Sequence, residues 1–448
     1  MSVNSSMSEI HTKHYKHWNE LPINKDTACQ FKWTWSTLFL NFGTTSSCHR
    51  CKHWPVTVDT IEDFHNVPGK LQDREKMLQG QWPGNGCEYC KVVEDVGGIS
   101  ERKAYIKDLP MLPPEMQFEP KSTSVTPRLL EVYFSNLCNQ ACTYCSAKFS
   151  SVIQAENERH GEILKDDLEV FKWPNNPDYE IMREKFWNWM DKYGKELYKF
   201  QILGGEPLYQ PEFDRCIEWF DKNPCPNLEW HIFSNLKHKT ERLEKQLDQI
   251  ERLIADKKLK SFQVVASMDC WGDEAEYARY GMDLEQWERN FLLLHNKRWV
   301  KLQVHSTITS LTTPTMWKLY DNIIKWEDNQ IMPWGKPKPI FYSWNTIQDP
   351  KWMNPSIFGD YCVPEIDQLL RTLENRDKTF NRDISYLEGI RTQLVTAKPN
   401  KYEMYRFRSH LDELDKRRKL DWKAIYPRLA EYINLQLHDY VFESKKGQ

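Results

Sequence analysis

The sequence predicts an α/β fold with a parallel sheet, a small cysteine-rich module before it and a helical region after it. Six short apolar runs alternate with helical stretches between residues 129 and 344. Alternation of that kind joins parallel strands through crossover helices. Five of the cysteines fall before residue 91, in a segment rich in aromatics and turn residues. Beyond residue 365 the apolar residues recur at helical spacing among dense charge.

The 448-residue chain is long enough for about two or three domains and a sizeable core. A net charge of −3 and a pI near 6.5 give no bias toward polyanions, so charge does not suggest nucleic acid. Zinc-dependent nucleic-acid binding would need a basic stripe that this balance does not offer. Nineteen tryptophans and a mean hydropathy of −0.73 read as a soluble protein with aromatic packing or large contact surfaces. No run approaches the roughly 18 apolar residues of a membrane span. Residues 1–20 are polar and His-rich, without a signal-peptide core. With nothing directing the chain outward, the cytoplasm is the expected compartment, and clustered Cys-x2-Cys pairs read as metal ligands rather than disulfides.

In chain order, residues 1–25 are a polar leader and 26–106 the cysteine-bearing module. Its β-like runs at 34–42 and 56–58, with Gly43 between them, suggest a hairpin. Residues 73–78 are a short helix candidate leading into the turn-rich stretch 80–86. Cys48-His-Arg-Cys51 and Cys87-Glu-Tyr-Cys90 are two Cys-x2-Cys pairs, whose spacing fits four thiolates on zinc as well as iron–sulfur. Residues 107–127 are a proline-rich linker. The main unit, 128–350, has expected strands at 129–134, 199–203, 229–233, 261–268, 300–307 and 339–344. Expected helices lie at 181–193, 211–222, 240–256, 284–296 and 314–326, with a polar insertion at 156–177. The extension, 351–448, holds expected helices at 365–374, 384–395, 401–414 and 422–437, and its basic run 416–419 is assigned to the solvated surface. The alternation fits a doubly wound sheet and a barrel equally well, and both place ligands at the carboxyl ends of the strands.

Chemistry concentrates in Phe134-Ser-Asn-Leu-Cys138-Asn-Gln-Ala-Cys142-Thr-Tyr144-Cys145, directly after the first apolar run. Three thiolates so placed can hold three irons of a cubane cluster and leave the fourth open, whereas an electron-transfer cluster normally takes four cysteines. A structural zinc site needs a fourth ligand that does not stand nearby. The stretch resembles the signature of the radical S-adenosylmethionine (SAM) enzymes, including the aromatic Tyr144 before the last cysteine. That resemblance implies a partial (β/α)6 TIM-like barrel and a SAM-binding 4Fe–4S cluster on Cys138, Cys142 and Cys145. It also implies reductive cleavage of SAM to a 5′-deoxyadenosyl radical that abstracts hydrogen, with a reductant such as flavodoxin or ferredoxin as partner.

Gly204-Gly205-Glu206-Pro207 ends the second run, where two glycines let the backbone approach a ligand closely. By the same resemblance Gly204, Gly205 and Glu206 contact the SAM amino group. Ser267-Met-Asp269, with Tyr277-Ala-Arg279 downstream, is similar to the family's Ser-x-Asp segment. It implies Ser267 or Asp269 at the SAM ribose and Arg279 at its carboxylate, and an ordinary helix-surface charge is the alternative for Arg279. A second resemblance covers Arg74-Glu-Lys-Met-Leu-Gln-Gly80, Gly86-Cys87-Glu-Tyr-Cys90, Glu94, Gly97, Ser100 and Arg102. It resembles the twitch module, a shortened SPASM domain carrying an auxiliary 4Fe–4S cluster, for which zinc is the alternative. The matching ligand positions are Cys29, Cys48, Cys87 and Cys90, and Cys51 could replace Cys29 or Cys48, so five candidates compete for four places.

Ser306, Thr307 and Asn345 fall at expected strand ends and are candidates for the barrel mouth. Cys216, Cys225 and Cys362 read as small buried hydrophobes, and Cys270, just past a strand end, is the lone cysteine expected to face substrate. His231, His238 and His305 have no partner spacing and read as structural or surface residues. The expected substrate is a peptide or protein side chain, an association with the SPASM and twitch relatives. The alternatives are a small metabolite, sugar or nucleoside, or a regulatory protein that keeps its clusters without catalysis.

Overall fold

A computed structural model describes residues 27–103, 123–163, 176–374 and 384–440. The polar leader, most of the proline-rich linker and much of the insertion at 156–177 lie outside the described residues. Nine strands form one sheet: β1 Trp35–Phe39, β2 Thr44–Ser46, β3 Trp54–Pro55, β4 Leu129–Tyr133, β5 Lys199–Leu203, β6 Cys225–Ser234, β7 Leu259–Ser267, β8 Val300–Ile308 and β9 Phe341–Thr346. Their order is β3-β2-β1-β4-β5-β6-β7-β8-β9. Strands β4 to β9 run parallel and stand in chain order. The six apolar runs are these six strands.

A doubly wound sheet reverses its strand order at a switch point. No such reversal occurs among β4 to β9. Right-handed crossovers between consecutive neighbours then bring the connecting helices to one face. The side chains agree: Val132, Phe200, Ile202, Trp230, Ile232, Val264, Leu302 and Val304 are buried in the core with helix residues such as Phe186, Phe213 and Leu247. The alternate positions carry Glu131, Gln201, His231, Gln263 and Gln303, and by the two-residue period of a strand they face the other way.

The cysteine-rich module is joined to this sheet rather than set beside it. β1 pairs in parallel with β4, and β2 and β3 continue the sheet antiparallel. Gly43, at φ +61°, closes the β1–β2 hairpin. The strand expected at 56–58 is not there: β3 is only Trp54–Pro55, and Pro55 has no N–H to extend the ladder.

The longer helices are α1 Pro68–Leu78, α2 Glu88–Asp95, α3 Ser151–His160, α4 Tyr179–Tyr193, α5 Pro211–Lys222, α6 Thr240–Ala255, α7 Leu284–Asn296, α8 Met316–Asp328, α9 Val363–Glu374, α10 Ser385–Thr396, α11 Lys401–Arg418 and α12 Pro427–Leu437. Proline opens α1, α5 and α12, where its missing N–H costs nothing. Side chains of Ser150, Asp283 and Asn400 cap α3, α7 and α11. Among the described residues no helix is long and apolar enough to cross a membrane.

The basic run at 416–419 departs from the expectation of a wholly solvated patch. Lys416 is exposed, but Arg417 and Arg418 are 4% exposed at the side chain. Arg418 pairs with Glu156 of α3 at 2.8 Å and lies 4.6 Å from the Tyr280 ring. The last turn of α11 is pressed against other elements, so charge density along the chain misjudged its exposure.

Candidate functional site

The loop after β4 carries the three clustered cysteines and is held from two sides. The N–H groups of Ala141 and Thr143 donate to the carbonyls of Tyr280 (2.9 Å) and Ala278 (2.8 Å), and the Ser150 hydroxyl donates to the Gln140 carbonyl at 2.7 Å. On the other side, the Glu206 N–H donates to the Leu137 carbonyl at 2.8 Å. Gly204 (φ +78°) and Gly205 (φ +58°) make this approach possible. A Cβ on Gly205 would stand 2.3 Å from the Leu137 carbonyl oxygen, and one on Gly204 would stand 2.3 Å from the Tyr133 ring. The glycine pair is therefore required by the packing of the cysteine loop on the end of β5, before any ligand is considered.

A cavity of about 270 Å³ opens between this loop and the carboxyl ends of the strands. Cys138, Cys142, Cys145, Tyr144, Gly204, Gly205, Glu206, Ser267 and Arg279 all line it. Residues from four separate stretches of the chain are thus brought to one place. Tyr133, Gln140, Phe149, Phe233 and Asn235, to which sequence reasoning gave no role, line the wall together with Ser150 and Leu203, and it misread His305, which borders the cavity beside Thr307. Parity with Ser267 on the neighbouring strand, opposite His305 in register, is the signal that would have found it.

Asp269 does not line the cavity; it holds two residues that do. Its carboxylate accepts two 2.9 Å bonds from the Arg279 guanidinium, one from the Tyr144 hydroxyl at 2.6 Å, and one from the Thr307 N–H at 2.8 Å. With its oxygens so occupied and 1% exposure, it is a positioning group, and Ser267 is the member of the pair that reaches the cavity. Arg279 is 6% exposed, which removes the surface-charge alternative. Burial opposes its charge, but the Asp269 carboxylate more than offsets this and keeps it protonated.

Glu206 ties β5 to β6. One oxygen accepts from the Ser234 hydroxyl (2.7 Å) and the Leu208 N–H (3.1 Å), and the other from the Asn235 N–H (2.6 Å). Burial raises its pKa from 4.5 to about 7. Burial also pushes the Cys138 thiol up to about 12 and raises Cys142 and Cys145. Metal binding would have to displace those protons. Among the described residues no three His, Cys, Asp or Glu side chains are placed to hold a single metal ion. Cys138, Cys142 and Cys145 all border one cavity, and a cluster would take each thiolate on a different iron.

In the N-terminal module, Cys29, Cys51 and Cys87 are buried with Trp33 and Met77, and Cys48 packs against them. The Cys48 and Cys51 sulfurs are 3.3 Å apart. The Lys32 ammonium lies 3.2 Å from the Cys51 sulfur and 2.6 Å from the Asp73 carboxylate. Contacts with Cys48 and Cys87, and the Lys32 ammonium beside it, hold the Cys51 thiol well below the usual thiol range, while burial raises Cys29 to about 12. Cys90, on α2, stands outside this group. The remaining motif residues are structural. Arg74 donates to the carbonyls of Lys32 (2.6 Å) and His65 (2.7 Å), and Arg102 pairs with Glu94 while donating to the Ala28 carbonyl at 2.7 Å.

Of the other candidates, Cys270 is fully buried and does not line the cavity, contrary to its expected role. Cys216, Cys225 and Cys362 are buried, as read. Ser306 donates to the Met268 carbonyl at 2.6 Å on the helix side, and Asn345 is exposed on the edge strand. His238 is buried against Gln246 at 3.1 Å. The C-terminal extension closes the outside of the cysteine loop, where His410 bonds the Thr143 carbonyl at 3.0 Å. No protein-family model and no curated protein matches the chain.

Proposed function

We propose that this chain is a radical SAM enzyme with an auxiliary iron–sulfur cluster, acting on a peptide or protein side chain. The observation that carries the reading is the single cavity bordered by Cys138, Cys142, Cys145, Tyr144, Gly204–Glu206, Ser267 and Arg279. The unreversed order of six parallel strands supports an open (β/α)6 barrel with this cavity at its mouth.

On this reading the three cysteines hold a 4Fe–4S cluster, and Glu206, Ser267 and Arg279 hold SAM. When bound, these groups supply reductive cleavage of a carbon–sulfur bond and a 5′-deoxyadenosyl radical for hydrogen abstraction. The protein's own part is positioning and exclusion. Asp269 fixes Arg279 for a carboxylate and Tyr144 for the cavity wall. Glu206, backed by Ser234 and Asn235, presents a carboxylate suited to an ammonium. Tyr133, Phe149 and Phe233 keep the wall apolar and water out. Cys29, Cys48, Cys51 and Cys87 form the favoured donor set for the auxiliary cluster, with an external flavodoxin or ferredoxin as reductant.

Anaerobic reconstitution tests this. Two cubanes require about eight irons per chain, and Cys142→Ala should leave about four. Incubation with SAM and dithionite should release 5′-deoxyadenosine from the parent protein and none from Cys142→Ala. Release that persists in the variant would sink the reading.

A further inference from the structure

We propose that Lys32 sets the reduction potential of the auxiliary cluster, by holding a buried positive charge against a ligand sulfur. The proposal deepens the reading of the N-terminal module as an iron–sulfur site and rests on it.

Lys32 lies in the short helix Phe31–Thr34, and its N–H donates to the Cys29 carbonyl at 3.0 Å. Its own carbonyl accepts from the Arg74 guanidinium at 2.6 Å, which fixes the backbone beside the first cysteine. The side chain reaches the other cysteines: its ammonium lies 3.2 Å from the Cys51 sulfur and 2.6 Å from the Asp73 carboxylate of α1. The second Asp73 oxygen accepts from the Asn85 amide at 3.2 Å. The Asn85 carbonyl accepts from the Lys52 N–H at 3.0 Å, and a Cβ on Gly86 would overlap the Arg50 carbonyl oxygen. The Cys51 loop and the turn before Cys87 are thus closed on each other, and Lys32 is tied to both.

Packing alone does not call for this lysine. Its side chain and that of Asp73 are 2% and 1% exposed. Burying an ion pair carries a desolvation cost that the attraction offsets only in part, and an apolar pair of similar volume is often as stable. A lysine that served only Asp73 would have no need of the sulfur, yet its ammonium gives a second donor to Cys51.

The chemistry of a cluster gives that contact a purpose. Four thiolates on a cubane make an anionic group, and one-electron reduction adds to its negative charge. Net charge, hydrogen bonds to the sulfurs and solvent exposure set the potential. A cation 3.2 Å from a ligand sulfur favours the reduced state over the oxidised one, and burial keeps its field from being screened. Lys32 therefore raises the potential, and Asp73, which shares the ammonium, moderates the rise.

The test uses the full-length Cys142→Ala protein, reconstituted without oxygen, so that the signal read belongs to the N-terminal module. Dithionite supplies one electron through mediator dyes, no proton or covalent bond changes hands, and electron paramagnetic resonance of the reduced state gives the midpoint. Lys32→Met would strand the Asp73 carboxylate, so it is made together with Asp73→Asn. The double variant should lower the reduced-to-oxidised ratio at fixed potential by about tenfold, the loss of one charged hydrogen bond, which is about 59 mV for one electron. Asp73→Asn alone should move the midpoint up, because the ammonium then acts undiminished. Two changes that merely loosened the module would not shift it in opposite directions. An unmoved or raised midpoint in the double variant, or an unmoved or lowered one in Asp73→Asn, would overturn the proposal. Should the double variant lose its iron, Asp73→Asn decides alone, and loss from both marks the pair as structural and overturns it too. Zinc in place of iron in the Cys142→Ala protein removes the auxiliary-cluster reading itself, whereas iron with an unmoved midpoint removes this inference alone.

Discussion

Replacing Asp269 with alanine leaves the Arg279 guanidinium, 6% exposed, without the carboxylate that grips it through two 2.9 Å bonds. It also takes the acceptor from the Tyr144 hydroxyl and the Thr307 N–H. Breaking a buried ion pair from one side costs about 3–5 kcal/mol. The two orphaned donors add about 1 kcal/mol each, so the unpaired charge dominates the loss. Arg279→Met removes the charge instead and leaves Asp269 with two of its donors. In the double variant Asp269→Ala/Arg279→Met no uncompensated charge remains, and a coupling of about 2–3 kcal/mol is expected between the two sites. Urea unfolding of the four proteins under anaerobic conditions, followed by tryptophan fluorescence and circular dichroism together, measures it. Additivity of the two single changes to within about 0.5 kcal/mol would refute the view that Asp269 acts by holding Arg279.

Three further expectations follow from the same geometry. Burial lifts Glu206 from 4.5 to about 7, so between those values the folded protein keeps a proton that the unfolded chain has released, and stability falls as pH rises through that window. The fall is on the order of 3 kcal/mol, and Glu206→Gln should flatten it in urea midpoints taken across the window; an unchanged slope would assign it elsewhere. Gly205→Ala meets the left-handed penalty of about 1–2 kcal/mol and a contact 2.3 Å from the Leu137 carbonyl oxygen. It should lower the melting temperature and, on the proposed reading of the 138–145 loop as a cluster site, lower the iron retained after reconstitution; parent-like iron content would show that the loop does not need this approach. If the N-terminal module holds the proposed auxiliary cluster, Cys51→Ser should lower its iron and sulfide while Cys90→Ser leaves them, because Cys51 is packed with Cys29 and Cys87 and Cys90 is not; the reverse pattern would count against this donor set.

Much of the fold was legible in the residues. The six strands and five of the six longer helices between them, all but α3 Ser151–His160, lie within a few residues of the expected runs, because a 3.6-residue or a two-residue period records which side of an element meets the core. Short pieces were less legible: β3 lasts two residues, ended by Pro55, and α1 starts at Pro68, ahead of the expected 73. The cysteine spacing, the glycine pair and Arg279 marked the candidate site. His305, Asn235 and Phe233 did not stand out, and Cys270 was assigned to the wrong side. Neighbouring residues at a strand end point to opposite faces, as Ser306 and Thr307 do, so one residue of register separates the cavity from the core.

By itself, then, the sequence determined the alternation of strands and helices, the three thiols of the 138–145 loop, and the glycines that let that loop close on β5. These are local properties, set by spacing and by backbone freedom. Only the tertiary structure decided that the strands stand in unreversed order, that β1 carries the cysteine-rich module onto the same sheet, and that Cys51 rather than Cys90 joins the buried thiols. It alone turned Asp269 from a ligand candidate into the anchor of Arg279 and Tyr144. Such choices depend on which groups compete for one acceptor or one buried place, and the competitors come from stretches as far apart in the chain as Tyr144 and Asp269, which no local pattern relates.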